Sequence, residues 1–422
     1  MPHWRWILRN LTRKLWFRAT LLGLLGVAAA FFALVAERFI PYSLPGNIGA
    51  DAVDSILNII ASSMLAVTTF SLSVMTSAYG AAASSVTPRA TRLLVEDRLT
   101  QNVLSTFVGS FLFSIVGIVV LKTGAYGDRG RVVLFVVTIG VIALIVVMLL
   151  RWIDHLTKLG RVDDTISRVE EATRAALAGR LASPWLGGRP LNDPDQPLPA
   201  GLPVRADRAG YIQNIDMASL SDRAEAMAGD IHIVRLPGSF VHAGTVLAWV
   251  GPSPLPPGPV DDLSDAFAIG SGRSFDQDPR FGLAVLSEIA SRALSPAMND
   301  PGTAIDVIGR QARLLAFWAA NETVEPAKAA EYPRLHAARL QDDDLMDDAF
   351  MPIARDGAAL VEVQLRLQKA LAALARIGPP QFRAAARAEA AMAFRRAEAA
   401  MTLQDDVEWL QRVRRSEGLA EP

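Results

Sequence analysis

The chain has 422 residues, 51% of them hydrophobic, no cysteine, and a formal net charge of −1. Without cysteine there are no disulfides, thiolate metal sites or cysteine nucleophiles. A near-neutral balance with no basic or aromatic cluster leaves no electrostatic footprint for nucleic acid.

Apolar runs concentrate before residue 151, so residues 1–151 read as a membrane part and the rest as a soluble part. Residues 1–18 carry Arg5, Arg9, Arg13, Lys14 and Arg18 among Trp4, Trp6 and Trp16, with no acidic residue. The apolar run over about 17–36 is too long for a signal peptide, so an uncleaved first span with interfacial tryptophans is expected. Pro41 and Pro45-Gly46 make a short loop after it.

Residues 55–88, between the charges of Asp54 and Arg89, are 34 uncharged residues in a row. As one helix they would reach ~51 Å, against roughly 30 Å of bilayer hydrocarbon. Within them Ser55, Asn58, Ser62, Ala66, Thr69, Ser73, Thr76, Gly80, Ser84 and Thr87 recur every three or four residues. This forms a continuous small or polar stripe, and Ile60, Met64, Val67 and Val74 lie on another face. Polar groups gain nothing from lipid tails, so the stripe is expected to face protein or water. The second span is set at about 55–82.

A third span, about 102–121, contains Ser105, Gly109, Ser110, Ser114 and Gly117, small residues that favour close helix packing. A fourth, 132–150, is nearly all Val, Ile, Leu and Phe and is the most lipid-like. Eleven Lys and Arg flank one side of the four spans and four flank the other. By the positive-inside rule both termini are cytoplasmic, in a bacterial inner membrane.

Beyond the spans, Ile153, Leu156, Val162, Ile166 and Val169 continue an apolar stripe, which predicts an amphipathic stalk over 152–183. Residues 184–203, rich in Pro and Gly, read as a linker. Residues 210–216, 230–235 and 245–250 alternate like short strands, with turns at Pro237-Gly238 and Ala243-Gly244. This 204–252 module is similar to the barrel-sandwich hairpins of lipoyl and biotinyl domains. It has no lysine for a swinging arm, so it is read as structural, and His242 as an ordinary loop histidine.

The segment 273–422 is predicted helical. Asp278-Pro279 and Asn299-Asp300-Pro301 each place an Asp cap before a first-turn Pro. Two helices result, over about 280–294 and 301–320, joined by a corner at Ser295-Pro296. Here Arg273, Gln277, Asp278, Pro279, Arg292, Ser295, Pro296, Asn299, Asp300, Pro301 and Thr303 are the candidate motif residues. One reading lets the helix N-termini with Arg273, Arg280 and Arg292 receive an anion; the other has the two aspartates already filling those N-termini. Asp342, Asp343, Asp344, Asp347 and Asp348 form an acidic cluster read as a solvated helix start. Thr402 and Asp405 are spaced like a capping box.

The stretches Arg273-Ser-Phe-Asp-Gln-Asp-Pro-Arg-Phe-Gly-Leu283 and Glu288-Ile-Ala-Ser-Arg-Ala-Leu-Ser-Pro-Ala-Met-Asn-Asp-Pro-Gly-Thr-Ala304 resemble a bacterial membrane-protein family, domain-of-unknown-function family 2254. Ser73-Val-Met75 and Val86-Thr-Pro-Arg89 fit its pattern in the second span, with Thr87 in place of the family's Ser. The resemblance runs to about residue 375. It implies an integral membrane protein with a cytoplasmic C-terminal region, and no activity.

The fold class expected is therefore a four-span α-helical membrane protein with a cytoplasmic α+β region. No catalytic motif, cofactor site or metal spacing is present in the sequence. The spans also carry no intramembrane His, Asp or Glu of the kind proton relays use. The leading functional expectation is a homo-oligomeric pore in the lipid bilayer, with Ser55, Asn58, Ser62, Thr69, Ser73, Thr76 and Gly80 lining the axis or a packing seam. The competing one is a membrane-anchored sensor or scaffold that binds a cytosolic ligand through 273–304.

Overall fold

The computed structural model describes residues 15–36, 50–95, 97–123, 128–191, 201–251, 261–321 and 330–419. Residues 1–14 of the basic, tryptophan-rich start, the loop with Pro41 and Pro45, and the linker centre 192–200 lie outside these residues. The chain divides into two compact units, one built on residues up to 164 and one on 165–422 together with Ser85–Ala90.

The first unit holds α1 (Leu15–Ala36), α2 (Ala50–Ser85), α4 (Arg98–Lys122) and α5 (Asp128–Leu156), while α3 (Pro88–Val95) is divided, its first three residues belonging to the second unit. Among the described residues, three stretches are long and apolar enough to cross a membrane: Asp51–Ala83, Arg98–Lys122 and Gly130–Leu156. The described apolar part of α1, Trp16–Phe32, is shorter. α1 and α4 pack through glycine. A Cβ on Gly26 would stand 2.6 Å from the Gly109 carbonyl oxygen, and one on Gly109 2.9 Å from that of Leu22. Only residues without a side chain permit such backbone approach. Val53, Leu57, Phe113 and Leu134 fill one buried cluster, and Ile60, Met64, Val103, Phe107 and Trp152 another.

Asp97 caps α4, accepting from the Thr100 amide at 2.8 Å and the Thr100 hydroxyl at 2.7 Å. His155 from the last turn of α5 closes this buried polar group, 3.2 Å from Asp97 and stacked on Trp152. The chain then turns through 157–161, with Gly160 at φ +80, before α6 (Val162–Ala182) begins. α5 and α6 are thus separate helices.

In the second unit α6 is no free rod. It buries Ile166, Val169, Thr173 and Leu177. Gly282 lies so close that any Cβ there would strike Thr173. Arg310 and Arg313 hold Glu170 at 3.1 and 3.0 Å, and Arg174 lies over the Phe317 ring.

Eight strands follow: β1 (Arg189–Pro190), β2 (Leu202–Arg205), β3 (Gly210–Ile215), β4 (Asp230–Ile233), β5 (Phe240–Val241), β6 (Val246–Gly251), β7 (Phe267–Gly270) and β8 (Leu335–Ala337). They form a five-stranded sheet, β1-β8-β4-β6-β2, and a three-stranded sheet, β5-β3-β7. The period-2 stretches are strands, and both turn glycines, Gly238 and Gly244, have positive φ. The sheets also recruit 189–190, 267–270 and 335–337 from outside 204–252. β8 pairs parallel to β4, Ile231 opposite Leu335. A helix, α7 (Met217–Ala226), interrupts the strands where Asp216 accepts from the Ser219 amide at 3.1 Å. Ile212, Ile215, Leu220, Ile231, Ile233, Leu247, Val250, Leu263 and Leu335 make one core beneath them.

The helical part comprises α8 (Pro279–Ala293), α9 (Pro301–Asn321), α10 (Asp342–Asp356), α11 (Val361–Leu374), α12 (Pro380–Ala400) and α13 (Gln404–Ser416). Gln311, fully buried on α9, knits three of them: its amide donates to Ser287 on α8 at 2.9 Å and to the Ala349 carbonyl on α10 at 2.7 Å. The capping box expected at Thr402 does not form. Leu403, at ψ 117, is the residue before α13 and makes no side-chain cap. Met401 leaves α12 extended, so Thr402 belongs to the connector.

Candidate functional site

Two regions carry the residues singled out from the sequence, one in each unit. In the first, α2 is an uninterrupted helix of 36 residues, ~54 Å long. It ends where Pro88 restricts the backbone ahead of it and opens α3. Val53, Leu57, Ile60, Ala61 and Met64 are buried on one face. Ser55, Asn58, Ser62, Thr69, Ser73, Thr76 and Gly80 are all exposed on the opposite face. Apolar Ile59, Leu65, Phe70 and Leu72 border that stripe and are exposed too. At Gly80 nothing lies within 4 Å of where a Cβ would be.

Four of the stripe's side chains donate to backbone carbonyls of their own helix. Asn58 donates to the Asp54 carbonyl at 2.9 Å, Ser62 to Asn58 at 2.9 Å, Thr69 to Leu65 at 2.9 Å and Thr76 to Leu72 at 2.8 Å. The outward surface is uncharged, and the hydroxyls of Ser62, Thr69 and Thr76 turn acceptor lone pairs to it. The described part of the chain does not cover it.

In the second unit, Asp278 is buried at the start of α8 and accepts three hydrogen bonds. It accepts from the Phe281 amide at 3.1 Å and from Arg273 at 2.7 and 3.0 Å, and the Gly238 turn presses against it. Pro279 fills the first helical position. Gln277 acts as a strand surrogate. Its side-chain oxygen accepts from the Ile215 amide at 2.9 Å and its amide donates to the Ile215 carbonyl.

Arg280 binds Asp348 at 2.5 Å and Asp344 at 2.6 Å, so part of the acidic cluster on α10 is an ion-pair face. Burial pushes the Asp348 carboxyl up, and the hydrogen bond from Arg280 pulls it back. Asp300 caps α9 through the Thr303 amide at 3.0 Å and hydroxyl at 2.6 Å, with Pro301 at the first helical position. The Thr303 hydroxyl, then its amide, hold that carboxyl below its ordinary value.

Both helix N-termini are thus filled by the chain's own aspartates. Arg273 and Arg292 sit at opposite ends of α8, ~20 Å apart along the axis, so the three arginines do not assemble into one anion cradle. What remains on the surface is the corner. Ser295 donates to the Arg292 carbonyl at 2.6 Å and receives the Asn299 amide at 2.9 Å. Asn299 takes φ +45, and Arg292, Pro296, Ala297, Met298 and Asn299 are exposed.

Sequence reasoning missed one junction. Residues 85–90, the direct continuation of α2, pack in the second unit. There the Thr87 hydroxyl donates to Glu288 at 3.1 Å and Arg89 pairs with the same carboxylate at 2.8 Å. The two stretches were separately noticeable, but nothing local in a sequence pairs residues 199 apart.

Comparison with known proteins agrees with the apolar helices. A family described as "Predicted membrane protein (DUF2254)" matches residues 12–373. Uncharacterized proteins of Mycobacterium bovis and Mycobacterium tuberculosis are 32% identical over 248 residues, which is 57% of this chain and 47% of theirs. The chain therefore spans about half the length of these relatives. No solved structure matches. With the match extending from just before α1 through α8 and α9 into α11, the chain belongs to this family of predicted membrane proteins.

Proposed function

We propose that the chain is a four-span protein of the bacterial inner membrane that assembles as a homo-oligomer around the exposed stripe of α2. The assembly encloses a pore lined by Ser55, Asn58, Ser62, Thr69, Ser73, Thr76 and Gly80, and the second unit serves as a cytoplasmic gate or assembly collar. One observation carries this reading: a helix longer than a bilayer is thick buries Val53, Leu57, Ile60 and Met64 and leaves its polar stripe uncovered by the described residues. An uncharged, hydroxyl-rich lining predicts conduction with weak charge selectivity. The tie of Thr87 and Arg89 to Glu288 supports a gating role, since it holds the residues that directly continue the lining helix.

Planar-bilayer recording on purified full-length protein tests the reading. The expected result is a current, evoked by voltage, tension or altered ionic strength, whose unit conductance falls when Ser62 and Thr69 are replaced by Leu. A protein that is monomeric in detergent and silent under all three stimuli would overturn it.

The scaffold reading is favoured by the exposed, hydrogen-bonded 295–300 corner. Its discriminating result is silence in bilayers together with saturable partner binding by the full chain. That binding would be removed by Arg292→Glu with no change in melting temperature.

A further inference from the structure

Where α6 ends, the backbone makes an unusual turn. Pro184–Gly187 form a short helical turn in which Trp185 and Leu186 both take positive φ, 52 and 59. Non-glycine residues rarely adopt that conformation, which strains the backbone. The turn delivers the Trp185 ring to a cavity lined also by Arg180, Trp318 and Arg339.

Arg180 is the unusual wall of this cavity. It is nine-tenths buried, and its Nη2 donates to the Gln277 carbonyl at 3.2 Å. Its Nη1 is buried and donates to nothing. A buried guanidinium nitrogen left without an acceptor is costly, and native structures keep few of them. Burial pushes Arg180 down to about 10, against the pull of Asp278, and it remains a cation at neutral pH. Asp278 cannot neutralise it alone, because Arg273 already holds that carboxylate at 2.7 Å.

Arg339 reaches Asp342 at 3.5 Å, and Trp318 donates its indole N–H to the same residue at 3.2 Å. Burial pushes the Asp342 carboxyl up, which weakens its hold on a negative charge. The buried charge of Arg180 therefore shares its nearby carboxylate, Asp278, with Arg273. α6 also ends here, and its carbonyl terminus offsets only about half a charge. The cavity volume, ≈ 30 Å³, is decisive for ligand size. A single water needs about 10–15 Å³ by this measure, so the space suits the head of a small anion and excludes a nucleobase.

We propose that this cavity binds a small oxyanion, either inorganic phosphate or the terminal phosphate or carboxylate of a small metabolite. In it Arg180 and Arg339 supply the positive charge, and Trp185 and Trp318 are the walls. Such an anion would sit beside the buried charge of Arg180 and offset it. It would also fasten the end of α6 to the segment that carries Gln277 and Asp278.

The test uses detergent-solubilised full-length protein titrated at constant ionic strength with sodium phosphate, glycerol 3-phosphate or sodium acetate, against sodium chloride. Thermal melting and tryptophan fluorescence are recorded together. At least one oxyanion should give a saturable rise in melting temperature with a parallel fluorescence change, and which one does so identifies the source. Arg339→Gln, at the rim, should weaken binding at least about tenfold while folding normally. Trp185→Phe should remove much of the optical change and leave the thermal shift. Arg180→Lys keeps the charge but moves the donor, and should also weaken binding. No saturable response to any of the three anions, or a response unaltered in both arginine variants, overturns the proposal.

Discussion

Gly238 shows how one residue can hold a site in place. Its φ is +94, and the Asp278 carboxylate occupies the position a Cβ would need. Gly238→Ala must both adopt a left-handed backbone and displace the group that caps α8 and anchors Arg273. The expected loss is about 2–4 kcal/mol, read as a fall in melting temperature. Gly309→Ala is the contrast. Gly309 lies inside α9 with nothing within 4 Å of the place a Cβ would take, so alanine there should gain about 0.5–1 kcal/mol from helix propensity.

Glu389 on α12 supplies a pH prediction. It is buried and one carboxylate oxygen has no partner. Burial, aided by the charge of Asp347 on α10 and opposed by Arg396, raises its pKa from 4.5 to about 7. The folded state thus binds this proton more tightly than the unfolded chain does. Stability from this group is full below about pH 4.5 and is lost as pH rises through about 7. Glu389→Gln should therefore melt higher than the parent at about pH 8, by the equivalent of about 1–3 kcal/mol, with the difference gone at about pH 4.

At the scale of elements, α8 is pinned to α10 by the fork of Arg280 on Asp344 and Asp348. Arg280→Met strips the counter-charge from a half-buried carboxylate, and a loss of about 1–3 kcal/mol is expected near neutral pH. The loss should shrink in acid, where Asp348 is protonated, which a pH series of melting curves will show.

The Arg89–Glu288 pair calls for a different measurement. Arg89 is 60% exposed, so the pair adds at most about 1 kcal/mol to global stability. Its effect is local, and hydrogen exchange at the amides of 86–90 is the sensitive readout. Glu288→Arg should speed that exchange several-fold, and adding Arg89→Glu should restore protection.

What could be read in advance at this scale were features encoded over a few residues. The alternation behind β3, β4 and β6, the Asp-Pro starts of α8 and α9, and the polar stripe of α2 all have periods shorter than ten residues. α7 escaped because its cap, Asp216, sits at the end of a strand pattern, and alternation dominated the reading. The left-handed pair Trp185 and Leu186 carries no glycine or asparagine to announce it. Long-range partners such as Glu288 for Arg89, or Asp344 and Asp348 for Arg280, are set by packing, which a single sequence does not encode locally.

At the scale of the molecule, hydropathy separates an apolar part from a polar one but does not place residues 85–90 with the second unit, and family membership follows from motifs in both. The exposed α2 stripe makes the sharpest whole-molecule prediction. Detergent-solubilised protein should run as an oligomer, and replacing Gly80 and Ser73 with bulky Phe should disperse or widen it, as seen by mass photometry.

The parallel pairing of β4 with β8 has a consequence for how the protein is made. Ile231 meets Leu335 only after the intervening residues have left the ribosome. At synthesis rates of about 5–20 residues per second, that leaves one edge of β4 uncovered for roughly 5–20 s. Sheets closed by such distant segments fold slowly, and an open strand edge is a template for misassembly. A nascent chain paused before residue 335 should therefore recruit holdase chaperones, and one paused well beyond 340 should release them.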